Sequence, residues 1–227
     1  MDLIRKAWND RHKELHHALE KTGDDKLVRE LFLTQHAAVH SAHISEAHVP
    51  SFSDEILGDL AADEWRFIPS DNHHSIAWVI WHLARVEDVT MNLLVAGSDQ
   101  VLRAGNWNER LGIHDVHTGN GVTDEDIAVL SKAIDIQALV EYRDVVGRET
   151  RGIVKKLKIT DFQESVDPKR IQRIWDERAM LKNATGIVDY WANRTIAGLL
   201  LMPPTRHCIL HLNEARRLKE SVRKSKK

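Results

Sequence analysis

The chain has 227 residues, of which 42% are hydrophobic and 29% charged, and its formal net charge is −2. This balance is typical of a globular protein and unlike that of a disordered or membrane chain. A net charge so close to zero provides no overall field for nucleic acid or anionic lipid, so we expect neither as a partner. No apolar run is long enough to cross a bilayer, and the first residues lack the apolar segment of a secretory signal. The sequence therefore predicts a cytoplasmic location, with which its one cysteine, Cys208, agrees.

Helical spacing of apolar residues starts at the beginning of the chain and predicts helices over 2–20 and 25–47. The outer face of the first is heavily charged. The second is predicted to bury one side, formed by Leu27, Leu31, Ala38 and Ala42. A further helix is expected to begin at Ser51, where a hydroxyl cap precedes acidic residues.

The strongest helix signal follows, in SIAWVIWHLARVEDVTMNLLVAG, which ends at Gly97. Residues 97–122 contain five glycines and are predicted to form a long loop, of a length that is often functional. Another helix is expected from about Asp135 to Leu157. Pro203-Pro204 must then end or kink a helix, because proline lacks the amide donor.

These elements predict an all-α protein with one core, since no repeat or low-complexity segment interrupts the pattern. We assign residues 25–222 to one helical bundle domain and residues 1–24 to an N-terminal helical extension. Residues 223–227 form a basic C-terminal tail, which we expect to be a solvated helix end.

Histidine is the anomaly of the composition, with 14 residues. Histidine is the commonest metal ligand, and ligands on a helix need a spacing of three or four residues to share a face. Three pairs have the four-residue spacing: His12/His16, His36/His40 and His207/His211. On the order of one such pair is expected by chance, so spacing alone does not select a site.

The sequence around each histidine distinguishes some of these candidates from others. His12 and His16 lie in a charged segment and are expected at the surface, while His114 and His117 lie in the long loop. The stripe of His36, His40 and His43 is a rival metal site, although a partly exposed helix face is the commoner role for such a stripe.

His207 and His211 differ because apolar residues surround them after the double proline, and His82 lies on the apolar central helix. A lone histidine on such a face is more often a hydrogen-bonded core residue. Histidines in apolar surroundings on two separate helices favour a shared metal. Three imidazoles would hold this metal and leave a coordination position open.

The stretches SIAWVIWHLARVEDVTMNLLVAG and NRTIAGLLLMPPTRHCILHLNEARRLK resemble the DinB superfamily of YfiT-like metalloproteins over residues 27–220. The resemblance implies a four-helix bundle of up-down-down-up order, with residues 97–134 as its long crossover. It also implies that His82, His207 and His211 hold a divalent metal. Some members of this family transfer low-molecular-weight thiols, so a thiol is a candidate co-substrate.

Three nitrogen ligands suit zinc or nickel, and such a metal makes a bound water or thiol nucleophilic near neutral pH. Carboxylates that orient the ligand imidazoles are expected among Glu87, Asp88 and Glu214. Cys208 is a poor candidate nucleophile, because it is rotated about 100° from His207 around the helix.

We therefore predict a metal-dependent thiol S-transferase or hydrolase that acts on a small molecule. The alternative is a non-enzymatic metal-binding or stress-associated protein. A homodimer is expected, since bundles of this kind often pair through helix faces. An open pocket at the metal distinguishes the enzyme from a closed site with a fourth protein ligand such as His36 or His40.

Overall fold

The structure is a computed structural model that describes residues 3–21, 24–45, 49–70 and 73–225. Its α-helices are α1 (Leu3–Lys21), α2 (Asp25–Val39), α3 (Phe52–Leu57), α4 (Ala62–Arg66), α5 (Ile76–Asp88), α6 (Val101–Ala104), α7 (Trp107–Leu111), α8 (Asp124–Ala133), α9 (Ile136–Lys156), α10 (Pro168–Asp176), α11 (Thr185–Ala192), α12 (Ile196–Leu200) and α13 (Cys208–Ser225). Short 3₁₀ turns cover Ala42–Ile44, Asp161–Gln163 and Lys182–Ala184.

The predicted all-α class is confirmed. Within the described ranges the only β pairing is an isolated antiparallel bridge between Ser165 and Thr195. The direction and order of the helices as an up-down-down-up bundle stay a prediction, as do the domain limits at residues 24 and 222. No helix in the described part of the chain has the length and apolar character needed to cross a membrane.

Helix α5 is the centre of the fold, and all of its residues are buried. The side chain of Ser75 caps its first turn by accepting a hydrogen bond from the Trp78 amide. A π-helix, Val89–Ala96, continues it to Gly97, whose φ of 70° ends the helix in the left-handed conformation. Helices α9 and α13 pack against α5, so side chains from all three meet in the core.

The double proline interrupts α-helical geometry, as predicted. Helix α12 ends at Leu200, a π-helix covers Met202–His207, and α13 begins at Cys208. Neither proline can donate an amide hydrogen bond, so the wider π turn replaces α geometry here. His207 is thus the last residue of the π-helix, and His211 follows on the first turn of α13.

The second predicted helix is shorter than expected, and its buried face was wrongly predicted. Helix α2 stops at Val39, a 3₁₀ turn follows, and residues 46–48 lie outside the described residues. Leu27 is exposed, and Leu31, Ala38 and Ala42 are only partly buried. The buried face of α2 consists of Val28, Phe32, Gln35, His36 and Val39. The prediction failed because residues of polar type, Gln35 and His36, belong to this face.

The loop predicted over 97–122 contains two short helices, α6 and α7, which corrects that prediction. Helix α8 lies in the rest of the crossover, before residue 134. The carboxylate of Asp88 accepts hydrogen bonds from the amides of Val101 and Leu102 and so fixes the start of α6. The glycines that suggested a loop separate these short helices, for example Gly112 at φ 67° after α7.

The last turns of α13 pack on the fold, whereas Lys224 and Ser225 at its described end are exposed. Lys219 is 9% exposed, and its ammonium donates to the carbonyls of Glu55 and Ile56. Arg223 forms ion pairs with Asp59 and Glu64. These contacts satisfy both cations, so the helix continues to Ser225.

Candidate metal centre

His82 lies on α5 with 3% of its surface exposed. Its Nδ1 is 2.6 Å from the carbonyl oxygen of Thr118, which can only accept a hydrogen bond. Nδ1 therefore carries the proton, and Nε2 keeps a free lone pair. Gly119 allows this approach, because a Cβ at that position would lie 2.7 Å from the Trp81 ring and 3.4 Å from His82 Nδ1.

His207 and His211 face His82 from the π-helix and α13. The ring centroids of His82 lie 5.1 Å from those of both other histidines, and the His207 and His211 centroids are 4.5 Å apart. One ligand nitrogen from each imidazole lies within 4.8 Å of the other two. The structure thus brings together the three histidines that the sequence selected.

The nitrogen separations suit a shared metal ion. Nε2 of His82 and Nε2 of His207 are 3.3 Å apart. Two nitrogens bound to one tetrahedral zinc at 2.0–2.1 Å are separated by about 3.3–3.4 Å. Nδ1 of His207 is buried without a hydrogen-bond partner among the described residues, so its ring is held by packing.

The electrostatics at His82 and His207 favour neutral imidazoles, the form that binds metals. Burial, helped by the neighbouring His211, lowers the pKa of His82 to about 3. Burial also holds the pKa of His207 well below its ordinary value. Both rings therefore present lone pairs at neutral pH.

Glu214 orients His211, as the sequence suggested. One carboxylate oxygen accepts from His211 Nδ1 at 2.7 Å and the other accepts from His74 Nδ1 at 2.6 Å. Burial alone would raise the pKa of Glu214, but hydrogen bonds from His211 and His74 lower it to about 2. The carboxylate is therefore ionised and keeps Nε2 of His211 free for a ligand bond.

His74 was missed by the sequence analysis. Its ring stacks on Trp78 at 4.0 Å, and Trp78 stacks on His82 at 4.9 Å. The four-residue spacing of these three positions could have indicated the stack.

The other two proposed carboxylates serve different partners, which corrects those predictions. Glu87 binds His36 and His40 instead of the three histidines of the centre. Asp88 binds Arg85 and the hydroxyl of Tyr142. They point elsewhere because they lie five and six residues after His82, on other faces of α5.

Several other histidines differ from expectation. His36 and His40 are fully buried, not partly exposed, and His43 is exposed on the 3₁₀ turn, so the predicted three-residue stripe does not form. His12 was wrongly placed at the surface, since it is 9% exposed and stacks on Trp8, whereas His16 is exposed as predicted.

His114, His117 and Cys208 contribute no ligand to the group formed by His82, His207 and His211. His114 is exposed, and His117 packs edge-on against Trp81. Cys208 is fully buried, and burial raises the pKa of its thiol far above the ordinary value. Its predicted unsuitability as a nucleophile is consistent with this environment.

The centre opens toward solvent on the His207 and His211 side. The His211 side chain is 23% exposed and lines a cavity of about 380 Å³ together with Glu214. His207 lines a second cavity of about 100 Å³, to which the crossover contributes Asn120. In the part of the chain that the structure describes, no fourth histidine, cysteine or carboxylate completes the group.

The comparison with known families agrees with this arrangement. The family model of the DinB superfamily matches residues 50–215 of the chain. The chain belongs to the DinB superfamily. All three histidines of the centre lie inside the matched range of this DinB protein. The range is shorter than the resemblance over 27–220 that the sequence suggested, and it leaves out α1 and α2. No curated protein was found to match the chain.

Proposed function

We propose that this DinB protein is a metal-dependent enzyme, a thiol S-transferase or a hydrolase, with His82, His207 and His211 as metal ligands. The observation that carries the proposal is the convergence of three imidazoles beside an open cavity, with no fourth ligand among the described residues. Such a ligand set is typical of catalytic rather than closed structural zinc sites. A divalent metal, zinc or nickel, would lower the pKa of a bound water or thiol and so supply a nucleophile.

Two hydrogen-bond acceptors fix the tautomers of the ligand imidazoles. The carbonyl of Thr118 and the carboxylate of Glu214 hold protons on Nδ1 of His82 and His211. Both Nε2 atoms consequently remain free without any rearrangement. Trp78 covers the His82 ring and keeps water away from its inner face.

The side chains that line the larger cavity favour a small anionic substrate. Its wall combines the indole of Trp8 with three cations, Arg206, Arg216 and Arg217. Arginine binds carboxylates and phosphates through paired donors. The cavity of about 380 Å³ has the size of a site for a small molecule.

The test is turnover of an electrophile with a panel of thiols, including glutathione, bacillithiol and mycothiol, and with water alone. We expect turnover that a chelator abolishes and that zinc or nickel restores. In an Arg206→Ala/Arg217→Ala variant the KM for an anionic substrate should rise about tenfold or more, because loss of a charged hydrogen bond costs about 1.5–3 kcal/mol.

An Arg11→Ala variant is the matched control, since this exposed arginine is not among the residues that line the cavity. Absence of chelator-sensitive turnover with every thiol and with water would contradict the enzymatic proposal. That result would favour a non-enzymatic metal-binding protein.

A further inference from the structure

A second cluster of metal-ligand side chains lies at the contact of α2 with α5. Nε2 of His36 is 2.8 Å from one carboxylate oxygen of Glu87, and Nε2 of His40 is 2.7 Å from the other. The side chains are 0%, 1% and 1% exposed, respectively. Their ligand atoms all lie within 4.8 Å of one another.

The packing around this cluster holds its imidazoles in place. The rings of His36 and His40 stack at 4.2 Å, and Phe32 stacks on His36. On the other side the backbone of α9 approaches closely at Gly147, where a Cβ would lie 2.8 Å from Nδ1 of His40. Any larger residue at position 147 would displace the His40 ring.

Glu87 is a carboxylate with about 1% of its side chain exposed, and its nearest hydrogen-bond partners are the imidazoles of His36 and His40. Burial alone would raise the pKa of Glu87, but the facing His40 and His36 hold it well below its ordinary value. A buried carboxylate is costly unless it is paired or coordinates a metal ion.

Two more groups border the cluster. Sγ of Cys208, itself a metal-ligand type, lies 3.9 Å from a carboxylate oxygen of Glu87. The guanidinium of Arg143 donates to the carbonyl of Val39 and contributes a positive charge nearby. Arg143 makes no hydrogen bond to the Glu87 carboxylate among the described residues. The candidate ligand atoms of the cluster therefore come from His36, His40 and Glu87.

We propose that His36, His40 and Glu87 form a second metal site, separate from the His82 centre, which binds a divalent transition metal such as zinc or iron(II). Two imidazoles and one carboxylate are the ligand set of well-known zinc and non-haem iron sites. The bound cation neutralises the buried carboxylate directly. Because the site is sealed from solvent, the metal enters during folding and joins α2 to α5.

The test is the metal content of protein expressed in zinc-supplemented medium, measured by mass spectrometry after desalting. We expect about two ions per chain in the wild type and about one in Glu87→Gln, which keeps the side-chain shape but loses the charge. A His82→Gln/His207→Gln/His211→Gln variant, which leaves the second cluster intact, should also keep about one ion. After chelator treatment, the wild type should retain this sealed ion.

His43→Gln is the control for loss of a histidine near the cluster, because this side chain is exposed. The proposal is overturned if the triple variant shows the wild-type circular dichroism spectrum and holds no metal. Should the triple variant fail to fold, equal metal content in the wild type and Glu87→Gln overturns it instead. Either of these results would mean that the cluster is held by hydrogen bonds alone.

Discussion

Glu214 is the residue through which α13 controls the orientation of the candidate metal centre. Its two carboxylate oxygens each accept from a different imidazole, those of His211 and His74. Groups that hold a ligand histidine in this way raise its basicity and fix its tautomer. A substitution at Glu214 therefore tests this role while all three ligand histidines remain in place.

A Glu214→Gln variant should bind zinc about 10–100-fold more weakly than the wild type, because a neutral amide is a weaker acceptor for the Nδ1 proton of His211 than the carboxylate. Competition with a chromophoric chelator measures this affinity. Glu220→Gln, an exposed carboxylate on the same helix, is the control and should leave the affinity unchanged. Equal affinities of wild type and Glu214→Gln would disprove the orienting role.

Spacing and apolar context together selected His207 and His211, which the structure brings close to His82. The sequence could not predict that His36 and His40 meet Glu87, because the partner is 47 residues or more away and lies on a different helix. The same limit explains the wrong partners assigned to Glu87 and Asp88. Spacing reports the face of one helix and carries no information about the helix packed against it.

At the scale of the elements, Asp88 joins α5, α6 and α9. It accepts from Arg85 at 2.9 Å, from the hydroxyl of Tyr142 at 2.6 Å, and from the first amides of α6. Asp88 and Arg85 are both 0% exposed. Arg85 also donates to the carbonyl of Val116, two residues before Thr118, so this buried network attaches the crossover to the central helix.

An Asp88→Asn substitution should lower the free energy of unfolding by about 3–5 kcal/mol, because it leaves the buried Arg85 without its counterion. Chemical denaturation measures the loss. Asp99→Asn, whose side chain is 82% exposed in an ion pair with Arg173, should cost less than about 1 kcal/mol. A loss at Asp88 no larger than that at Asp99 would contradict this account of the network.

A second connection between elements joins Asp59 to Lys219 and Arg223 of α13, and its strength depends on pH. Hydrogen bonds from Lys219 and Arg223 lower the pKa of Asp59 to about 2 from an ordinary value of 3.8. A carboxylate whose pKa is depressed in the folded state stabilises the protein above the unfolded pKa and loses this effect as the pH falls.

We expect Asp59→Asn to lower the melting temperature at pH 7, and this difference should disappear between about pH 4 and about pH 2. Thermal unfolding followed by circular dichroism at several pH values checks the trend. Glu55→Gln, an exposed carboxylate on the neighbouring α3, should show no such difference. A difference for Asp59→Asn that grows on acidification would have the wrong sign.

The long helices were predictable, since α5 and α9 begin at clear caps and show a strong apolar face. The short helices α6, α7 and α8 were not, because helices of four to ten residues give too little periodicity. Their positions depend on distant partners such as Asp88. Likewise, the π-helix before His207 follows from the prolines only once the packing of α12 and α13 is known.

At the scale of the whole molecule, the fold consists of two apolar clusters that meet along α5 and its π-helical continuation. The first includes Trp8, Trp81, Tyr142 and Leu212, and the second includes residues of α1, α2 and the region from 162 to 200. The candidate metal centre lies where α5, the crossover and α13 meet. Residues distant in the sequence are thereby brought into one site.

The central claim is that this site holds a divalent metal through His82, His207 and His211. The most direct measurement is the metal that a chelator can remove from purified wild type, His82→Ala and His207→Ala, with His16→Ala as the control for an exposed histidine. The account predicts about one removable ion per chain in the wild type and in His16→Ala, and almost none in the other two. Full retention of removable metal by both His82→Ala and His207→Ala would contradict it.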